Sequence, residues 1–152
     1  MNEREGTMMN EVEEFLAGTM PRFIDAQLAL HNGDVEPWLA IWSKHDPVTV
    51  FGAWVSKAGW DDLNSLFHAL AKRFSDCESG DVDLVAAGAS GDLAYTVAYE
   101  RTSASVNGVA KTYTLRVTQI YRREEGEWKL AHRHGDELAS DDPRLPATPL
   151  AR

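Results

Sequence analysis

The stretch Arg122-Arg123-Glu124-Glu125-Gly126-Glu127-Trp128, followed by Lys129-Leu130-Ala131-His132-Arg133-His134, decides the fold. It joins two runs, Ala110 to Arg123 and Glu127 to Gly135, that are rich in β-branched and aromatic residues, so it reads as an antiparallel hairpin. A three-residue loop with Gly126 in the left-handed conformation makes Glu125 its centre. Gln119 then lies opposite Ala131, and Val117 opposite Arg133. One face carries Leu115, Val117, Gln119, Tyr121, Ala131 and Arg133. The other carries Arg116, Thr118, Ile120, Arg122, Trp128, Leu130, His132 and His134. A two-residue loop would flip one strand's faces.

Working outward, Asn107-Gly108 marks a second hairpin, preceded by strands Leu93 to Val106 and Val82 to Ala87. On the Leu93 strand Tyr95, Val97, Tyr99 and Arg101 share a face, with Glu100 on the opposite one. A short strand, Val48 to Phe51, lies further upstream. The first part of the chain is helical. Val12, Phe15, Leu16, Phe23, Ile24 and Leu28 fall near helical spacing between Glu11 and His31, with Pro21 expected to kink or split the helix. Asn32-Gly33 ends it, and Asp34 caps a short helix through Trp38 and Trp42. A third helix, from about Asp61 to Phe74, carries the stripe Leu63, Leu66, Phe67, Leu70 and Phe74. The order α-α-β-α-β-β-β-β argues α+β, three helices wrapped by a curved, mainly antiparallel sheet.

Composition sets the frame. The chain of 152 residues suits one domain, is 43% hydrophobic and 26% charged, and has one cysteine, Cys77, so no disulfide scaffold is available. With 24 acidic against 15 basic residues, a formal net of −9, no basic face for nucleic acid or for an anionic membrane is expected. No apolar targeting segment or 18-residue apolar run is visible, which reads as cytoplasmic. Residues 1–9 read as a flexible leader and 139–152, with three of the six prolines, as a flexible tail around one domain, 10–138.

Asn32-Gly33-Asp34, Ala98-Tyr99-Glu100-Arg101 and the closing hairpin with His132-Arg133-His134 resemble the nuclear transport factor 2-like superfamily. The similarity is strongest to its SnoaL-like and ketosteroid isomerase-like branches and to the association domain of calcium/calmodulin-dependent kinase II. It spans roughly Val12 to Leu138. It implies a cone, a curved sheet around helices with a pocket at the open end, and a homodimer on the outer sheet face. The isomerase's aspartate base falls on Val50, its first-helix tyrosine near Ala26, and its aspartic acid donor on Gln119. Of the kinase domain's pocket arginines, one matches Arg101, one falls on Gln119 and one on Gly135, while Arg133 is added on the Gln119 face.

The resemblance therefore implies a small-molecule-binding domain for a partly apolar or acidic ligand. The alternative is a cofactor-independent lyase or isomerase of the ketosteroid isomerase or polyketide cyclase type, without the usual aspartate base. The ligand-binding set is Arg101, Gln119, Arg133, Tyr99, Tyr121, Trp42, Trp54 and Val50. Two guanidiniums, a glutamine and tyrosines in one cavity suit a carboxylate or enolate. Equally, Arg101 and Arg133 could be structural ion pairs, and the tryptophans ordinary core. His45 and Asp46 read either as an acid–base pair or as a capping turn before the strand. His132 and His134 point one way from the strand but lack a third ligand at a recognisable spacing, so no metal or other cofactor is expected. They read as interface histidines, and His31 and His68 as surface or packing residues.

Overall fold

The computed structural model describes residues 9–78 and 80–138. The expected tail lies outside them, as does the expected leader except Met9.

Helix α1 spans Glu11–Leu30 without a break. Asn10 and Glu13 form a reciprocal capping box at its start, at 2.8 and 3.1 Å. Of the two outcomes expected at Pro21, a kink or a split, the split does not occur. Pro21 sits on the exposed side, where the carbonyl it orphans meets solvent, while Phe15, Thr19, Phe23, Ala26 and Leu30 are buried on the other side. Burying the two phenylalanines alone contributes about 1.5–3 kcal/mol each, which offsets a proline cost of about 3 kcal/mol. After Gly33, at φ 91°, the short α2 (Glu36–Ala40) carries Trp38, and α3 runs Trp60–Ala71.

The strands are β1 (Thr49–Phe51), β2 (Ser56–Ala58), β3 (Phe74–Ser75), β4 (Gly80–Ser90), β5 (Leu93–Val106), β6 (Val109–Glu124) and β7 (Glu127–Glu137). They form one mixed sheet in the order β2-β1-β7-β6-β5-β3, with β4 also on β5. Only β1 and β7 are parallel among these pairs. β2 and β3 are too short and too polar for sequence periodicity to reveal. The sheet curls around the helices, and Phe15, Phe23, Trp38, Trp42, Leu63, Phe67, Tyr121 and Leu130 fill the space between.

The closing hairpin corrects the expected register. Glu125 and Gly126 have φ of 51° and 81°, and Glu124 pairs with Glu127, so the loop has two residues, not three. Tyr121 opposes Leu130, and a bulge at Ala131 then shifts the pairing so that Gln119 opposes Arg133 and Val117 opposes Gly135. The bulge restores the parity beyond it, so Gln119 and Arg133 do share the inner face. Nearer the turn the faces of β7 are exchanged, while Tyr121 of β6 keeps its expected inner place. Leu130 is core, and Trp128 packs edge-on against Phe15 at 5.2 Å, so neither belongs to the outer face.

β5 is also reversed relative to expectation. The turn Asn107-Gly108, φ 53° and 82°, pairs Val106 with Val109 and therefore Thr96 with Gln119 and Ala98 with Val117. Ala94, Thr96, Ala98, Glu100 and Thr102 are buried, and Tyr95, Val97, Tyr99 and Arg101 face outward.

Candidate functional site

A cavity of about 90 Å³ lies between the helices and the sheet. α1 contributes Gln27 and Leu30, and His31 follows as its C-cap; α2 contributes Trp38; α3 contributes Leu66, Phe67 and Leu70. Val50 and the loop 52–55 close one side, and Arg133 and Leu115 stand on the sheet. Trp54 is 56% exposed, edge-on to Tyr113 at 5.8 Å, and forms the rim. Most of this wall is aliphatic or aromatic.

Arg133 is the cation of this cavity, and it is already paired. Its Nη1 donates to Glu100 Oε2 at 2.9 Å and Gln119 Oε1 at 2.7 Å, and its Nη2 donates to Glu100 Oε1 at 2.7 Å. Glu100, only 2% exposed, accepts a further bond from Gln27 Nε2 at 2.6 Å. Gln119 passes its own donor to Tyr121 Oη at 2.9 Å. The guanidinium lies 5.5 Å from the Trp38 ring and 6.0 Å from Phe23. Burial alone would lower the Arg133 pKa, but the Glu100 carboxylate outweighs it and holds the value above the ordinary one. A buried charge is tolerable only with such pairing.

His31 ends α1 on the same wall. Its Nδ1 lies 2.8 Å from the Gln27 backbone oxygen, and its Nε2 lies 3.3 Å from Tyr113 Oη. Burial lowers its pKa, with Arg133 adding in the same direction. Burial pushes the Tyr113 phenol up to about 12 and raises Tyr121 further still. Both phenols therefore stay protonated at neutral pH.

The sequence-derived set divides accordingly. Arg133, Val50 and Trp54 line the cavity, and Gln119 lies just behind Arg133. Tyr121 is buried below, edge-on to Phe15 at 5.0 Å. Trp42 is 0% exposed and belongs to the core rather than the cavity. Arg101 and Tyr99 are outside the cone: Arg101 pairs with Asp83 across β4–β5, on the sheet's outer face. The expected convergence of Arg101 and Arg133 does not occur, because β5 has the opposite parity. His45 and Asp46 are also away from the cavity. The Asp46 carboxylate accepts the Trp60 amide at 2.9 Å at the start of α3, and the His45 carbonyl accepts from Arg122, which corresponds to the capping alternative. His132 and His134 lie on the outer side, His132 Nδ1 2.6 Å from Thr49 Oγ1. Among the described residues no group of three His, Cys, Asp or Glu side chains could hold a metal.

Glu100, Gln27, His31 and Tyr113 were not identified from sequence as site residues. Glu100 could have been placed by the two-residue Asn107-Gly108 turn. The contacts of the other three depend on how α1 packs into the cone, which no local pattern encodes.

The profile of the SnoaL-like domain family matches residues 19–136. The chain belongs to this family. Similar solved structures share the fold of the nuclear transport factor 2-like superfamily. A superfamily protein from Salmonella enterica serovar Typhimurium superposes with a TM-score of 0.70 at 16% identity, covering 88% of this chain and 95% of that one. A ketosteroid isomerase-like protein from Erwinia carotovora atroseptica gives 0.67 at 17% identity, covering 86% and 99%. A nuclear transport factor 2-like protein from Rhodospirillum rubrum gives 0.64 at 23% identity, covering 82% and 98%. No curated protein matches the chain. None of the described helices is long and apolar enough to cross a membrane.

Proposed function

We infer that this SnoaL-like domain binds a small, largely apolar, uncharged molecule in the cone. The carrying observation is the bidentate Glu100–Arg133 pair at the cavity's sheet side. It cancels the local charge, so a ligand carboxylate would have to compete with Glu100 for the same guanidinium. The remaining wall, with Leu30, Trp38, Phe67 and Trp54, favours apolar contact. An acidic ligand, which two converging arginines would have suited, is therefore not the one this site favours. A thermal-shift comparison of benzyl alcohol with benzoate tests this. Stabilisation by the alcohol alone supports the reading, and stabilisation by benzoate alone contradicts it.

A second reading, a cofactor-independent lyase or isomerase, is favoured by one observation. His31 is a buried imidazole on the cavity wall with its pKa lowered, as a neutral general base requires.

The protein is further inferred to act as a cytoplasmic homodimer through the outer sheet face. Trp128 and Leu130 do not support this, because they point inward. The support comes from Leu93, Tyr95 and Ile120, which are exposed and line one apolar groove on that face.

A further inference from the structure

We propose that His31 Nε2 recognises a hydroxyl group on the ligand, so that the cone selects small alcohols or phenols over hydrocarbons of the same shape. This rests on the reading that the cone binds a small uncharged molecule, and it names that molecule's polar group.

The tautomer of His31 follows from its neighbours. A backbone carbonyl can only accept, so the Gln27 oxygen at 2.8 Å requires the proton on Nδ1. In the neutral ring Nε2 then carries a lone pair. His31 is 7% exposed, and burial, the largest influence on the ring, opposes a second proton. His31 packs on Phe74 at 4.5 Å, which fixes its plane.

Nε2 is an acceptor with a poor partner. Tyr113 Oη stands 3.3 Å away, longer than a well-formed hydrogen bond from a hydroxyl. A buried acceptor left under-satisfied gains from any donor that can reach it. A ligand O–H entering from the Trp54 rim would donate to Nε2 and could accept the Tyr113 proton in return. A ligand carbonyl could accept from Trp38 Nε1–H, a donor without a partner on the same wall, but it would leave the Nε2 lone pair of His31 unmet. A carboxylate meets the Nε2 lone pair as well as Glu100. A hydroxyl is the group that fits what remains.

Phenol and toluene match in shape but differ in this one donor. An ordinary apolar cavity prefers toluene, which loses less hydration. Titration of the full-length protein by calorimetry should show phenol binding roughly tenfold tighter than toluene. In His31→Phe that preference should vanish, the two ligands binding within about twofold of each other. In Tyr113→Phe it should persist, because Nε2 is then freer. If His31→Phe fails to fold, ¹⁵N spectra of the wild-type imidazole decide: phenol should move the Nε2 resonance and leave Nδ1 in place, and toluene should move neither. Toluene binding as tightly as phenol, or phenol leaving Nε2 unmoved, would overturn the hydroxyl preference while leaving the apolar cone intact. Absence of binding by both would overturn the underlying reading as well.

Discussion

Glu100 chelates Arg133 inside the cone, with both carboxylate oxygens on the guanidinium at 2.7 and 2.9 Å. The two residues are 33 positions apart and meet directly across β6, whose Gln119 accepts a further bond from Arg133. This pair turns a cavity with a cation at its base into one with no net local charge. Removing one member of a buried pair typically costs about 3–5 kcal/mol, because the survivor stays buried and unpaired. Glu100→Gln should therefore lower stability by about that amount in urea unfolding. It should also create a site for an added anion. Benzoate or formate should raise the melting temperature of the variant and not of the wild type. A variant as stable as wild type and indifferent to anions would show that the pair matters little.

Acid should destabilise the fold through His31. Its pKa is lowered on folding from 6.5, first by burial. Between the two values the unfolded chain binds more protons than the folded one, so stability rises with pH there. The stabilisation from keeping His31 neutral is complete above 6.5 and is lost as pH falls below that value toward the folded pKa. His132, also lowered by burial but more exposed, adds a smaller change of the same sign. Urea unfolding at about pH 7.5 and about pH 5.5 should show this loss, and His31→Phe should flatten most of it.

The outer-face groove makes an oligomeric prediction. Light scattering at micromolar concentration should return the mass of a dimer, and Ile120→Lys should return a monomer with its far-ultraviolet circular dichroism intact. A monomeric wild type would refute the interface.

Ketosteroid isomerisation should be absent. Val50 occupies the position that the resemblance assigns to the aspartate base, and it is buried on the cavity wall. Loss of a positioned base typically costs ~10²–10⁴-fold. Turnover of a 5-ene-3-ketosteroid at rates typical of such an isomerase would mean that another group, His31 foremost, supplies the base.

Much of the fold was legible because its signals are local. Asn107-Gly108 marks a hairpin on its own, and the α3 stripe needs only its own residues. The site was legible where two parity errors cancelled: the three-residue loop was wrong, but the bulge at Ala131 put Arg133 back beside Gln119. On β5 nothing cancelled. Tyr95, Val97 and Tyr99 look like a core face, and the interior instead takes the small and polar set Ala94, Thr96, Ala98 and Glu100. The helices already fill the cone with aromatic rings, so the sheet supplies small residues and one carboxylate. That is a property of packing between distant segments, which alternation along one strand does not carry.

The central claim is that the cone accepts neutral ligands because Glu100 has already neutralised Arg133. ¹H–¹⁵N spectra recorded during titration with phenol and, separately, with benzoate test it most directly. Trp38 and Trp54 line the cavity, and Trp128 does not. The account predicts that phenol shifts the indole signals of Trp38 and Trp54, leaves that of Trp128 in place, and that benzoate moves none of them. Benzoate shifting Trp38 and the Arg133 side chain more strongly than phenol would contradict it.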